Sequence, residues 1–203
     1  MIEYGPSTAL LVVDVQNDFA DPAGGLSVPG GAEVVPAVNR EIERARVSGA
    51  TVIFSQDWHP ESTPHFARDG GIWPVHCVAG SWGAALHPDV AVAQDDRRIR
   101  KGVNGEDGYS AFTMRDPVTG DTVPTGLEAL LRDAAVSRVV VVGLATDYCV
   151  KATGLDAVRL GFDTTLVADA TAAVDLEPGD GERAVDEMRA AGIHVAAATD
   201  TGT

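Results

Sequence analysis

The sequence has few cysteines, few basic residues and no long apolar run. Cys77 and Cys149 are the only cysteines among its 203 residues, which argues against a fold held together by disulfides. Fifteen Lys and Arg against thirty Asp and Glu give a formal net charge of −15, so nucleic acid and anionic membrane surfaces are poor partners. No apolar stretch approaches the ~20 residues that span a bilayer, and the first residues lack the features of a signal peptide. We therefore expect a cytoplasmic protein.

Short β-branched runs alternate along the chain with segments of helical spacing. The predicted strands are 8–13, 51–55, 97–102, 138–142, 164–168 and 193–198, and the predicted helices are 33–47, 127–135, 148–160 and 181–191. This alternation is typical of a three-layer α/β fold, an open and mostly parallel sheet with helices on both faces. We expect residues 1–203 to form one domain. Residues 56–96 are the exception, since they form an irregular insertion of a kind that is usually functional.

Polar side chains follow several of the predicted strands, and ligands of such sheets bind at the carboxyl ends of the strands. Asp14 directly follows the first strand without a Gly-x-Gly-x-x-Gly sequence, which disfavours a dinucleotide-binding dehydrogenase. Lys101 lies at the end of the third strand, the weakest of the set. Each of these two residues has a structural alternative, as a turn aspartate or as a solvated surface lysine.

Cys149 follows the strongest strand, at the start of a predicted helix. Unpaired backbone N–H groups and the helix dipole stabilise a thiolate there, which predicts a lowered thiol pKa and a nucleophilic role. The same N–H groups could receive an oxyanion. A buried structural thiol is the alternative. We expect that structural role for Cys77, which has no comparable setting.

The insertion contains a cluster of candidate metal ligands. Asp57 and His59 form an Asp-x-His pair, whose side chains point to one side of an extended segment. His65 and His76 follow within eighteen positions of His59. Imidazole and carboxylate ligands suit zinc, iron or manganese better than calcium or magnesium. Any single histidine here could be an ordinary loop residue, but the cluster predicts a metal site.

Five short segments carry a family resemblance. They are Val13-Asp14-Val-Gln-Asn-Asp-Phe19, Asp57-Trp-His59-Pro60, Trp73-Pro-Val-His76-Cys77, Lys101-Gly102 and Gly143-Leu-Ala-Thr-Asp-Tyr-Cys149-Val. On these segments, and in this order, the chain resembles the nicotinamidases of the isochorismatase-like cysteine hydrolase superfamily. The resemblance extends over about residues 8–195 and implies the three-layer α/β fold of that superfamily.

The resemblance also implies roles for individual residues. It implies a catalytic triad of Asp14, Lys101 and Cys149, and an oxyanion site made by the backbone N–H groups of Ala145 and Cys149, with a cis peptide bond before Ala145. It implies one divalent metal ion, with zinc favoured over iron or manganese. Its ligands would be Asp57, His59 and His76, joined by His65 as in one branch of the family.

The activity implied by the resemblance is hydrolysis of nicotinamide to nicotinate and ammonia through a thioester, with pyrazinamide as a further substrate. Phe19 and Trp73 are the candidate walls for the flat ring, and Tyr109 is a further pocket residue whose role depends on the preceding loop, 103–108. The alternatives are another cysteine amidohydrolase or isochorismatase of the superfamily, or a non-catalytic metal-binding protein on the same fold. The oligomeric state is left open, and a homo-oligomer is compatible with the sequence.

Overall fold

The computed structural model describes residues 2–197, and Ala198, the end of the last predicted strand, lies outside this range. Its elements are β1 (Thr8–Val13), α1 (Asn17–Ala20), α2 (Val35–Val47), β2 (Thr51–Asp57), β3 (Arg97–Lys101), β4 (Thr113–Arg115), β5 (Thr122–Pro124), α3 (Leu127–Asp133), β6 (Arg138–Leu144), α4 (Lys151–Arg159), β7 (Asp163–Ala172), α5 (Asp180–Ala190) and β8 (His194–Ala196). A short 3₁₀ helix, Ala67–Asp69, precedes β3, and a π-helical turn, Thr146–Val150, precedes α4. None of the helices described here has the length and apolar character needed to cross a membrane.

The main sheet has six strands in the order β3-β2-β1-β6-β7-β8, and all neighbouring strands are parallel. Every residue of β1 is buried, because helices cover both faces of the sheet. One apolar cluster joins α2 to one face through Val38 and Ile42. The other joins α3, α4 and α5 to the opposite face through Leu131, Ala157 and Met188. The predicted three-layer α/β fold is confirmed.

The structure differs from the predicted elements mainly where elements are short. The helix α1 and the antiparallel β4–β5 hairpin have too few apolar residues to show a period, and the prediction omitted them. The helical segment that carries Cys149 starts at Thr146, two residues earlier than predicted, because the π-helical turn precedes α4. The strand β7 extends to Ala172, beyond an irregularity in its pairing with β6.

The insertion packs over the carboxyl ends of the central strands. The His59 N–H donates to the Cys77 carbonyl at 2.9 Å, so the two ends of the histidine-rich segment meet beside β2. The backbone of α1 is fixed to the same segment, since the Asp18 N–H donates to the Gly83 carbonyl at 3.0 Å. Both contacts bring the insertion to the edge of the sheet where Asp14 lies.

Candidate active site

Four strand ends place charged and nucleophilic side chains together. Asp14 follows β1, Asp57 ends β2, Lys101 ends β3, and Cys149 lies in the turn after β6. Asp57 and Lys101 are directly paired in the parallel register of β2 and β3. The Nζ atom of Lys101 lies 2.8 Å from Asp14 Oδ2, 2.8 Å from Asp57 Oδ1 and 3.3 Å from the Sγ atom of Cys149. The structure therefore brings the three predicted triad residues into contact.

Lys101 is a fixed cation at the centre of this group. Its side chain is only 1% exposed, and a buried ammonium is costly unless it is paired. Burial alone would lower the pKa of Lys101, but the carboxylates of Asp14 and Asp57 outweigh it and hold that pKa well above its ordinary value. A further hydrogen bond, to the Tyr109 carbonyl at 2.9 Å, fixes the ammonium in position. The alternative of a solvated surface lysine is therefore wrong.

The pKa values of Asp14 and of the Cys149 thiol are both raised in this setting. Burial raises the pKa of Asp14, although Lys101 and a 2.6 Å hydrogen bond from the Ser55 hydroxyl oppose the rise. Burial also raises the pKa of the Cys149 thiol well above its ordinary value. Lys101 opposes this rise, whereas the Asp14 and Asp57 carboxylates add to it. The predicted lowering of the thiol pKa is wrong, because burial and the two neighbouring carboxylates raise that pKa. The thiol consequently needs a base, and Asp14 is adjacent.

The candidate metal ligands also converge. The side chains of His59, His65 and His76 each offer a nitrogen, and these nitrogens all lie within 4.8 Å of one another. The Oδ2 atom of Asp57 lies 3.9 Å from the Nε2 atoms of both His59 and His76. Because its Oδ1 atom faces Lys101, Asp57 joins the histidine cluster to the triad.

The hydrogen bonding of these histidines fits a bound cation. Nδ1 of His76 lies 2.7 Å from the Pro74 carbonyl, which can only accept, so Nδ1 carries the proton and Nε2 is left for a ligand. Nδ1 of His65 is held in the same way by the Asp107 carboxylate at 2.7 Å. Burial lowers the pKa of His76 to about 4, so its ring is neutral at pH 7. Both ring nitrogens of His59 are buried without a hydrogen-bond partner in the described part of the chain, as expected for a ring that binds an ion. The residues present therefore fit a divalent metal ion.

A mostly apolar pocket of about 370 Å³, counting the part open to solvent, lies beside Cys149 and the histidine cluster. Phe19 and Trp73, the predicted walls, line it together with Tyr109, the further predicted pocket residue. The Trp73 Nε1–H donates to the Tyr109 hydroxyl at 3.1 Å, and Tyr148 packs edge-on against both rings. Such a narrow aromatic pocket suits a flat ring.

The predicted oxyanion residues lie at the same pocket. Ala145 and Cys149 both line it, and the peptide bond between Leu144 and Ala145 is cis, as the resemblance implies. Ala145 directly precedes the π-helical turn, and the first N–H groups of a helix lack intrahelical partners.

The sequence reasoning omitted several residues that support the site. Ser55 donates to Asp14, and Asp107 holds His65. Asp147 accepts hydrogen bonds from the backbone N–H groups of Val174 and Asp175 at 3.0 and 2.9 Å, and Val174 lines the pocket. Of these residues, only Ser55 could have been found from the sequence, because it is a polar residue at the end of a predicted strand. The contacts of the two aspartates depend on loops that meet only in the folded chain.

The family model of the isochorismatase domain matches residues 8–202. The chain belongs to the isochorismatase family. This family member is 40% identical to the nicotinamidase of Escherichia coli, over 92% of this chain and 93% of that protein.

Two solved structures extend the likeness of this isochorismatase-family chain. A pyrazinamidase of Pyrococcus horikoshii in complex with zinc has a TM-score of 0.84 and 39% identity, covering 95% of this chain and 99% of that one. A protein of L. infantum in complex with nicotinate has a TM-score of 0.86 and 36% identity, covering 97% and 96%. The resemblance stated from the sequence is confirmed.

Proposed function

We propose that this protein is a metal-dependent nicotinamidase, which hydrolyses nicotinamide to nicotinate and ammonia through a thioester on Cys149. The observation that carries the proposal is the contact of Cys149, Lys101 and Asp14 at an aromatic pocket that also contains the histidine cluster. The nicotinamidase of Escherichia coli and the nicotinate complex of the L. infantum protein support this substrate.

The first half-reaction begins with the protonated thiol. Asp14 accepts the proton of Cys149 as the sulfur attacks the carboxamide carbon, since the two side chains offer atoms within 4.8 Å of each other. Lys101 stabilises the negative charge on sulfur. The backbone N–H groups of Ala145 and Cys149 receive the developing oxyanion. Because its pKa is raised, Asp14 can then hold the proton and pass it to the leaving ammonia.

The second half-reaction releases the acid. Water attacks the thioester carbon, and Asp14 again accepts a proton. The carbon–sulfur bond breaks, Asp14 returns its proton to the Cys149 thiolate, and the acid loses its remaining proton to solvent and leaves as nicotinate. Lys101 stays charged throughout, because the neighbouring Asp14 and Asp57 carboxylates hold its pKa well above its ordinary value.

Asp57, His59, His65 and His76 would hold the metal ion, which supplies a Lewis-acid site for the pyridine nitrogen of the substrate. We propose zinc, since the pyrazinamidase of Pyrococcus horikoshii was solved in complex with zinc. Phe19, Trp73 and Tyr109 hold the faces and edge of the ring. Pyrazinamide has the same carboxamide and a nitrogen in the same place, so we propose it as a second substrate. The cytoplasmic location stays a prediction, and the oligomeric state stays open.

Ammonia release from nicotinamide and from benzamide tests this proposal. Benzamide has the same shape but no ring nitrogen, so the metal-loaded protein should hydrolyse it far more slowly. Chelation should raise KM for nicotinamide, while iodoacetamide should still alkylate Cys149 in the metal-free protein. Equal rates on both amides would contradict the role of the metal. Hydrolysis of ureidoacrylate or an N-carbamoyl compound, with none of nicotinamide, would select another amidohydrolase of the superfamily.

A further inference from the structure

The carboxylate of Asp18 joins three segments of the site without lining the pocket. Asp18 belongs to α1, and its Oδ2 atom accepts a hydrogen bond from the Cys77 N–H at 2.6 Å. Its Oδ1 atom accepts a second bond, from the Gly25 N–H at 2.8 Å. One side chain therefore connects α1 to the loop just after it and to the histidine-rich segment, which is 59 residues away in the sequence.

Each of the three segments carries a residue of the site. Within α1, Phe19 is a pocket wall, and Leu26 lines the same pocket directly after Gly25. His76, a predicted metal ligand, directly precedes Cys77. The rings of Phe19 and His76 are in contact, with centroids 5.4 Å apart. Asp18 therefore connects the segment that carries His76 to the segments that carry the pocket residues Phe19 and Leu26.

The backbone at Cys77 needs an external restraint. Its φ angle is +47°, in the left-handed region that residues other than glycine seldom adopt. Such a conformation persists only where the surroundings impose it. Asp18 holds the N–H of Cys77, and the His59 N–H holds its carbonyl at 2.9 Å. Hydrogen bonds therefore fix both the N–H and the carbonyl of Cys77, the residue that follows His76 in the chain.

Two glycines allow the carboxylate to approach so closely. A Cβ atom at Gly83 would lie 2.0 Å from Asp18 Oδ2, and one at Gly25 would lie 3.3 Å from Oδ1 and 2.7 Å from the Val75 carbonyl. Neither glycine has a positive φ angle, so close approach rather than backbone conformation requires glycine at both positions. Both glycines therefore leave the space that the Asp18 carboxylate and its hydrogen bonds occupy.

We propose that Asp18 is a positioning residue that holds His76 in its metal-binding place against Phe19. An ionised carboxylate satisfies both N–H donors, whereas an amide offers one acceptor and turns its NH₂ group toward the other donor. The consequence for nicotinamide turnover rests on the proposed function, but the consequence for metal affinity does not.

The test compares Asp18→Asn with a matched control, Asp21→Asn. Asp21 lies in the adjoining turn, where its side chain accepts one exposed hydrogen bond from the Ala23 N–H. Competition with a chromogenic chelator should show zinc affinity reduced roughly 10-fold in Asp18→Asn and unchanged in Asp21→Asn. The visible spectrum of the cobalt-loaded protein should shift in Asp18→Asn alone. KM for nicotinamide should rise more than kcat falls, with alkylation of Cys149 unaffected.

A second variant, Gly83→Ala, displaces the same carboxylate without changing it. The zinc affinity of Gly83→Ala should fall as in Asp18→Asn. The double variant should bind zinc as tightly as either single variant, because both substitutions disturb the same contact between Asp18 and Cys77. Unchanged zinc affinity in Asp18→Asn would overturn the proposal. Failure of the metal-free variant to fold would also overturn it, since Asp18 would then be needed for folding rather than for positioning His76. If zinc affinity falls as expected but no protein hydrolyses nicotinamide, the proposed function fails and the role of Asp18 stands.

Discussion

Replacing Lys101 by methionine should strongly destabilise the protein, because Lys101 is the shared cation of two buried carboxylates. Asp14 and Asp57 each lie 2.8 Å from its Nζ atom, and all three side chains are at most 7% exposed. Removing one partner of a buried ion pair typically costs about 3–5 kcal/mol, because a charge is left buried without compensation. Two carboxylates lose their partner here, so we expect a loss at the upper end of that range at pH 7.

The loss should depend on pH. Burial opposes ionisation of Asp57, but Lys101 and the neighbouring histidines outweigh it and lower the pKa of that carboxyl in the native protein. A lowered folded-state pKa contributes stability above the unfolded value, about 3.9, and that contribution is lost as the pH falls below it. Lys101→Met removes the largest of the interactions that lower this pKa. The difference between the two proteins should therefore be largest near pH 7 and shrink below about pH 4.

Urea unfolding of the metal-free proteins at pH 7 and pH 4 measures this difference. Lys151→Met is the control, since Lys151 pairs with Glu187 at the surface, and loss of such a pair costs about 1 kcal/mol or less. Adding Asp57→Asn to Lys101→Met should restore part of the stability. Equal losses in Lys101→Met and Lys151→Met at pH 7 would refute the assignment of Lys101 as the buried cation of the site.

Three further results are expected. The unfolding free energy of the metal-free protein should fall by about 2 kcal/mol between pH 7 and pH 5. The reason is that the pKa of His76 is about 4 in the folded protein and about 6.5 in the unfolded one. An equal dependence of stability on pH in His76→Asn would contradict this. Cys77→Ser should keep most of the hydrolysis of nicotinamide, since Cys77 lies outside the pocket, and a severe loss would show that this thiol is not merely structural. His65→Ala should weaken zinc binding, measured by chelator competition, less than His76→Ala does, because the resemblance implies His65 as a ligand in only one branch of the family. The reverse order would contradict this ranking of the two ligands.

The parallel sheet and its strand ends could be predicted from local sequence. The run Thr8–Val13 is apolar throughout because both of its faces are covered, and this pattern is visible without a structure. Asp14 and Cys149 follow the ends of such strands, so parallel order places both at the same edge of the sheet, and the pairing of β1 with β6 brings them together. Lys101 was harder to place, because β3 is an edge strand with Ile99 as its main apolar residue and so shows little strand pattern.

The contacts that hold the insertion could not be predicted. Asp18, Asp107 and Asp147 each bind a segment distant in sequence, and no periodicity marks which loop each one meets. The raised pKa of Cys149 was missed for a related reason. A helix start is visible in the sequence, whereas full burial beside Asp14 and Asp57 is a property of the folded site.

Ammonia release from nicotinamide, measured side by side for the native protein and Cys149→Ala, tests the central claim most directly. Both proteins should be loaded with zinc, and equal metal content should be verified before the assay. The account predicts rapid ammonia release by the native protein and none above background by Cys149→Ala, because no other side chain in the pocket can form the thioester. Substantial turnover by Cys149→Ala would contradict the thioester mechanism, and absence of turnover by the metal-loaded native protein would contradict the proposed activity itself.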